Sequence, residues 1–278
     1  MKKYELTEET VVIGDKTLFR IRALRSFGDI KAGDLGGFIE NERNLSHGGN
    51  AWVGDNAQVG GNAEVYGDAQ VVGYARVGGY ARVGGYARVG GYARVDGDAW
   101  VGGNARVGGY ARVDGDAWVG GNAEVYGNAE VYGDAEVYGD AEVYGDAEVY
   151  GDARVVGYAR VGGYARVGGY ARVGGYARVD GDAWVGGYAR VGGYARFNGN
   201  GLINSNDDYL CEKGLGSHNR SASFFKCKDG HIHVLCGCFS GNLDEFENKV
   251  KKEHGNSKYA KEYLGFIEVV KTHFEVRQ

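Results

Sequence analysis

Six residues repeat without a gap across more than half of this chain. Val stands at position 53 and at every sixth position to 191, and Phe197 fills the next slot, which makes 25 copies. Ala lies two residues before each anchor, from Ala51 to Ala195, and Gly lies two residues after nearly all of them. The unit is Ala-x-Val-x-Gly-x. Side chains alternate across a strand, so Ala and Val share the inner face, and the residues beside Val point outward. Gly, with Asn or Asp next to it, supplies a corner that needs left-handed backbone angles. A strand this short cannot bury its inner face alone. Three copies make a triangular coil of eighteen residues, and coils stack at about 4.8 Å. The repeat therefore predicts an all-β solenoid of about eight coils, a rod on the order of 40 Å long.

Composition agrees with this reading and excludes others. With 52 Gly and no Pro in 278 residues, the chain is neither collagen-like nor a typical disordered linker. A net charge of −5 calls for no nucleic-acid partner by itself. No stretch approaches the roughly 18 apolar residues that span a bilayer, and Met1 to Glu5 lead into no apolar signal core. The expectation is a soluble cytoplasmic protein with no membrane partner. All four Cys lie between 211 and 238, so they cannot staple the repeat, and free thiols are expected.

The flanks divide the chain into a cap (1–50), the repeat (51–200) and a C-terminal α+β module (201–278). In the cap, Val11 to Ile13 and Leu18 to Leu24 flank Gly14-Asp15-Lys16, a hairpin signal. Ile39 and Leu45 are six apart, and Val53 follows after eight, which predicts an irregular first coil with a two-residue slip. In the module, Ser221 to Cys227 and His231 to Phe239 flank Asp229-Gly230, a second hairpin. Asn242 with Glu245 forms a capping box for a helix ending near Gly255, and a second helix begins at Ser257.

Val137-Tyr138-Gly139-Asp140-Ala141-Glu142 resembles the hexapeptide repeat of left-handed β-helix proteins. Leu18 to Leu24 and Gly33-Asp34-Leu35-Gly36-Gly37-Phe38-Ile39-Glu40 are similar to the YdcK-like family, which recurs in phage and prophage genomes and sometimes carries a transferase label. The resemblance covers roughly residues 1–200 and implies a left-handed coil; periodicity alone would also allow a right-handed one. Gly214 to Arg220 and Cys236-Gly237-Cys238-Phe239 resemble a phage-encoded module that has no established activity.

The outward residues vary in blocks. Arg76, Arg82, Arg88 and Arg94 form one basic band, and Arg154, Arg160, Arg166, Arg172 and Arg178 form another. Between them, residues 113–153 hold eleven acids and no base. Residues eighteen apart should stack. Glu124 beside Glu142 would then repel by about 0.8 kcal/mol at about 5 Å in water. Trp100 and Trp118, with Arg82 one coil earlier, predict a cation–π ladder, and Tyr92 should stack on Tyr110. Such ladders could contact bases and phosphates; they could equally be cross-strand pairs shielding a thin core. The charge bands are plain solvated faces, surfaces matched to a partner or another copy, or, for the acidic band, a cation site, although no loop with calcium-type spacing is present.

Catalytic chemistry finds little support. Hexapeptide-repeat acyltransferases use a His on the coil as general base, yet no His occurs between 48 and 217, and no loop interrupts the copies. Zinc is conceivable at the Cys and His of the module, but no Cys-x-x-Cys pair is present. His231 and His233 should face one side of the hairpin and Cys236 and Cys238 the other, as core thiols. Ser217, His218 and Arg220 share a Gly-rich loop suited to an anion. The expectation is a non-enzymatic interaction or scaffold protein, without catalytic residues, metal or cofactor, that self-associates or binds a protein partner. A binder of anionic ligands such as nucleotides or nucleic acid is the alternative, and an acyltransferase-like enzyme comes third.

Overall fold

The computed structural model describes residues 2–275. The repeat coils into a β-solenoid whose short strands, mostly two residues long, stack in parallel on three faces, the inner strands pairing with those eighteen residues before and after them. There are about nine coils rather than the eight that the uninterrupted copies predict. Ile39, Leu45 and Ile203 add anchors at the two ends. Ile39 pairs with Val59 and Leu45 with Val65, each twenty residues on, before Val53 meets Val71 at eighteen. The two-residue slip between Leu45 and Val53 is thus part of the first coil.

Every inward Ala and Val is buried, the least so at 3 % exposure. The core is narrow, so the fold leans on its backbone ladder. In most copies three N–H groups that face along the axis donate to the Ala, Val and Gly carbonyls of the next coil. The Arg88, Gly90 and Tyr92 amides, for example, reach the carbonyls of Ala105, Val107 and Gly109 at 2.9, 2.9 and 2.7 Å.

Because all these bonds point the same way, the rod has a carbonyl end and an amide end, as a helix does. The caps complement them. At the first coils the donors are side chains. Lys3 Nζ donates to the Ala51 carbonyl at 2.7 Å, the Tyr4 hydroxyl to that of Leu45 at 2.7 Å, and Asn44 Nδ2 to that of Ala63 at 2.8 Å. Burial, with Arg25 nearby, lowers the Lys3 amine to about 8. At the last coil the caps are acceptors. Ser223 Oγ takes the Arg196 amide at 2.8 Å and Asn206 Oδ1 takes that of Arg190 at 2.7 Å.

The carbonyl end is covered by the hairpin Tyr4–Ile13 with Lys16–Ala23, which adds two antiparallel strands to one face. The amide end is covered by the module. Its sheet has four antiparallel strands, Tyr209–Leu215, Arg220–Lys226, Ile232–Cys236 and Phe239–Asn242. The first of these was not evident from sequence, because Glu212, Lys213 and Gly214 break its alternation. Helix α1 (Leu243–His254) carries the expected capping box at Asn242 and Glu245, and helix α2 (Lys258–His273) follows Ser257. Phe225 plugs the rod, its ring edge-on to Phe197 at 5.2 Å, while Phe224, on the other side of the strand, joins the module's own core.

Corner glycines lie directly over one another. Gly109 has φ +66°, and a Cβ there would sit 2.9 Å from the Gly127 amide nitrogen; its neighbour Gly108 has open space. Gly109→Ala is therefore expected to destabilise the rod by more than 1–2 kcal/mol, roughly the cost of such backbone strain alone, and Gly108→Ala by far less. Urea midpoints of the two variants test this difference.

Candidate functional site

The outer faces carry the variable chemistry, and stacking decides how it combines. The Glu pairs do lie in register, Glu124 on Glu142 and Glu130 on Glu148. Each pair is bracketed along the axis by arginines. Arg106 reaches Glu124 at 3.4 Å and Arg160 reaches Glu142 at 2.9 Å; Arg112 and Arg166 flank Glu130 and Glu148 at 3.8 and 3.4 Å. Arg154 meets Glu136 at 3.1 Å. The repulsive ladder expected from sequence is thereby compensated, and the eighteen-residue spacing of 106 to 124 already held that information. Further out, Arg76, Arg82, Arg88 and Arg94, and Arg172, Arg178, Arg190 and Arg196, have no carboxylate within 4.0 Å among the described residues. Apart from Glu64, which is in register with Arg82 without an ion pair, the unpaired charge on the repeat strands is basic and lies on both sides of the acidic centre.

Aromatic side chains form continuous columns. Tyr74, Tyr92 and Tyr110 stack at 5.1 and 5.0 Å, and Tyr158, Tyr176 and Tyr194 at 5.0 and 5.2 Å, with ring planes within 6°. Trp100 and Trp118 stack at 5.2 Å as expected. The anticipated cation–π ladder is incomplete. Arg82 is in register with Trp100, but among the described residues no guanidinium lies over that indole, and Trp118 continues onto Tyr138 at 5.8 Å. Rings stacked this way cover each other's faces. Within a column the rings therefore offer edges and rows of hydroxyls; open ring faces remain at the column ends and on Tyr80, Tyr86 and Tyr164, which are exposed and unstacked among the described residues.

Tyr on the strand behaves differently from Tyr at the corner. The Tyr144 ring lies on Gly162, where an added Cβ would come within 2.2 Å of it, and its hydroxyl donates to Asp180 at 2.9 Å. Burial, then that hydrogen bond, pushes the phenol up to about 12. Tyr150 on Gly168 and Tyr66 on Gly84 repeat the arrangement. These rings shield the backbone ladder.

Where the solenoid meets the module, the second basic band and a tyrosine column converge. A cleft of about 570 Å³ is lined by Tyr158, Tyr176 and Tyr194, by Arg160, Arg178 and Arg196, and by Arg220, Ser221 and Gly237 from the module. Arg160 is ion-paired to Glu142. Arg178, Arg196 and Arg220 have no carboxylate within 4.0 Å among the described residues. Gly237 takes φ +61°, and a Cβ there would collide with the Arg220 guanidinium, so this glycine leaves that side chain its place. Lys213 adds a further cation 3.9 Å from the centroid of the Tyr194 ring.

The loop read as a possible anion site divides. Arg220 faces the cleft, whereas Ser217 and His218 are exposed on the turn and hydrogen-bond to each other at 2.9 Å. The solenoid half of the cleft was invisible from the module's sequence, since it depends on how the two parts dock. All four cysteines are unpaired thiols. Cys236 is buried in the module core and Cys238 is exposed. Burial raises the Cys236 thiol, and burial with Asp229 nearby raises that of Cys227 to about 11, which leaves neither a ready nucleophile. Among the described residues no helix is long and apolar enough to cross a membrane. No family model and no curated protein matches the chain.

Outer charges should matter little to stability, which leaves them open to other uses. Glu142→Gln is expected to cost under about 1 kcal/mol, as for exposed ion pairs. Its inward neighbour Val143→Ala should cost about 2 kcal/mol, from lost apolar burial plus a cavity. Denaturant titrations of both variants check the contrast.

Proposed function

We propose that this protein is a non-enzymatic binding rod whose basic bands hold an extended anionic partner, with the junction cleft as the strongest point of attachment. The observation that carries this reading is the cleft itself. Arg178, Arg196 and Arg220 converge there without carboxylate partners among the described residues, beside a column of tyrosine hydroxyls. Arg forms bidentate hydrogen bonds to phosphate, and its charge persists at any physiological pH. The stacked tyrosines add hydroxyl donors while withholding their faces, so the chemistry favoured is that of a phosphate chain rather than of a base. The 48–217 interval without His supports the non-enzymatic part of the reading. Four cysteines carried as thiols support a cytoplasmic setting.

A second reading is self-association or a protein partner. It is favoured by the order of charge along the rod, an acidic centre between basic flanks, which lets two staggered copies meet with opposite charges facing. The YdcK-like resemblance, with its left-handed coil and phage-type context, is compatible with both.

Fluorescent single-stranded DNA and inorganic polyphosphate serve as probes. Binding should weaken steeply with salt, because each phosphate neutralised releases counterions. Arg178→Glu with Arg196→Glu should lower affinity by at least about tenfold and flatten the salt slope by about one per lost contact. Affinity that ignores salt, or survives the double substitution, would contradict the proposal; concentration-dependent assembly that fails after reversal of the acidic centre would favour the second reading.

A further inference from the structure

The turn between the module's second and third strands brings three side chains together on one face, because the register that pairs Phe225 with His233 sets Cys227 opposite His231. Cys227 closes the strand that ends at Lys226, and His231 and His233 lie on the returning segment. The Cys227 amide donates to the His231 carbonyl at 2.9 Å and the Gly230 amide to the Cys227 carbonyl at 2.9 Å, so the turn is rigidly tied. The Sγ of Cys227 and one ring nitrogen from each His all lie within 4.8 Å of one another. The sequence offers Cys211, Cys227, Cys236 and Cys238 beside the two His as conceivable zinc ligands, and the fold selects Cys227 among them.

We propose that Cys227, His231 and His233 form a three-ligand site for zinc, at the point where the module's hairpin docks on the end of the solenoid. The partners of the two rings set the ligand atoms. His231 Nδ1 lies 2.5 Å from Asp229 Oδ1. An ionised carboxylate only accepts, so that nitrogen carries the proton and Nε2 presents its lone pair in the neutral ring. His233 Nε2 is 2.9 Å from Ser240 Oγ, which leaves Nδ1 as the inward atom. The inward nitrogens stand 3.5 Å apart. Two imidazoles bound to one tetrahedral zinc at about 2.05 Å are separated by about 3.3 Å, close to the spacing of these two nitrogens. The carboxylate on the far nitrogen of His231 is the usual orienting partner of a metal-bound imidazole. A thiolate with two imidazoles suits zinc better than a hard cation such as magnesium. Zinc binding would displace the thiol proton of Cys227 and leave a fourth position for water or a partner's ligand.

The site has a structural consequence. Cys227 pairs with Gly201, the Lys228 amide donates to the Asn200 carbonyl at 3.0 Å, and Phe225 of the same strand fills the end of the solenoid core. A metal here would staple the turn that seals the rod, on the opposite side of the hairpin from the module's own core.

The test uses the full chain, stripped with chelator and titrated with cobalt(II) as a spectroscopic stand-in for zinc. The expected result is one tetrahedral cobalt per chain, with a sulfur-to-cobalt charge-transfer band that zinc abolishes. His231→Gln, at an exposed side chain, should keep the far-ultraviolet circular dichroism and weaken cobalt binding by at least about tenfold. Cys227→Ser should remove the charge-transfer band, and Cys238→Ser should leave it intact. Absence of any such band, a band that survives both His231→Gln and Cys227→Ser, or one lost in Cys238→Ser would overturn the assignment.

Discussion

The axial hydrogen-bond ladder is the constraint on which the rest depends. A core built of Ala and Val is too narrow to hold a fold by apolar burial in bulk. Stability accumulates from repeated backbone bonds between neighbouring coils, each coil touching only the next. The ladder has a direction, and this determines what each end needs. Donor side chains of Lys3, Tyr4 and Asn44 meet exposed carbonyls, and acceptor side chains of Asn206 and Ser223 meet exposed amides. The two caps differ in architecture because they solve opposite halves of one hydrogen-bonding problem. They also satisfy part of the hydrogen bonding at each end of the rod, where an open edge would invite another chain to pair.

The same eighteen-residue register converts a one-dimensional sequence into columns on the surface. An Arg copied into successive turns becomes a line of positive charge with a spacing of about 4.8 Å. A corner Tyr copied in the same way becomes a stack whose faces are occupied by its own neighbours. Arg–Glu–Glu–Arg columns close on themselves and contribute little field at a distance, whereas the arginine columns toward the ends remain uncompensated. The module completes the picture by adding Arg220 beside Arg178 and Arg196, so the most concentrated basic surface lies where two structurally unrelated parts meet.

Much of this was legible in the sequence because the repeat has no insertions. Inward and outward positions, corners, the slip between Leu45 and Val53, the capping box at Asn242 and the Trp100–Trp118 and Tyr92–Tyr110 stacks all follow from counting. Ile203 stands six residues after Phe197 and fills the next anchor slot, which counting does reach; Gly201 in the place of Ala hid it. Most of what else escaped depends on contacts that counting does not give. Arg82 shares a column with Trp100, but rotamers decide whether a guanidinium covers a ring, and here it does not. The strand Tyr209–Leu215 lacks alternation and forms because it has a partner in Arg220–Lys226. The cleft at Arg220 is a product of docking, whereas the grouping of Cys227 with His231 and His233 follows from the hairpin register that pairs Phe225 with His233.

The most direct test of the account is a native mass spectrum of the full chain purified from cells at low salt. A rod that holds phosphate-bearing chains through uncompensated arginines should carry added mass of repeating phosphate or nucleotide units, removed by high salt. A bare chain, or clean multiples of the chain mass with nothing bound under the same conditions, would contradict that account and leave the rod as a self-assembling scaffold.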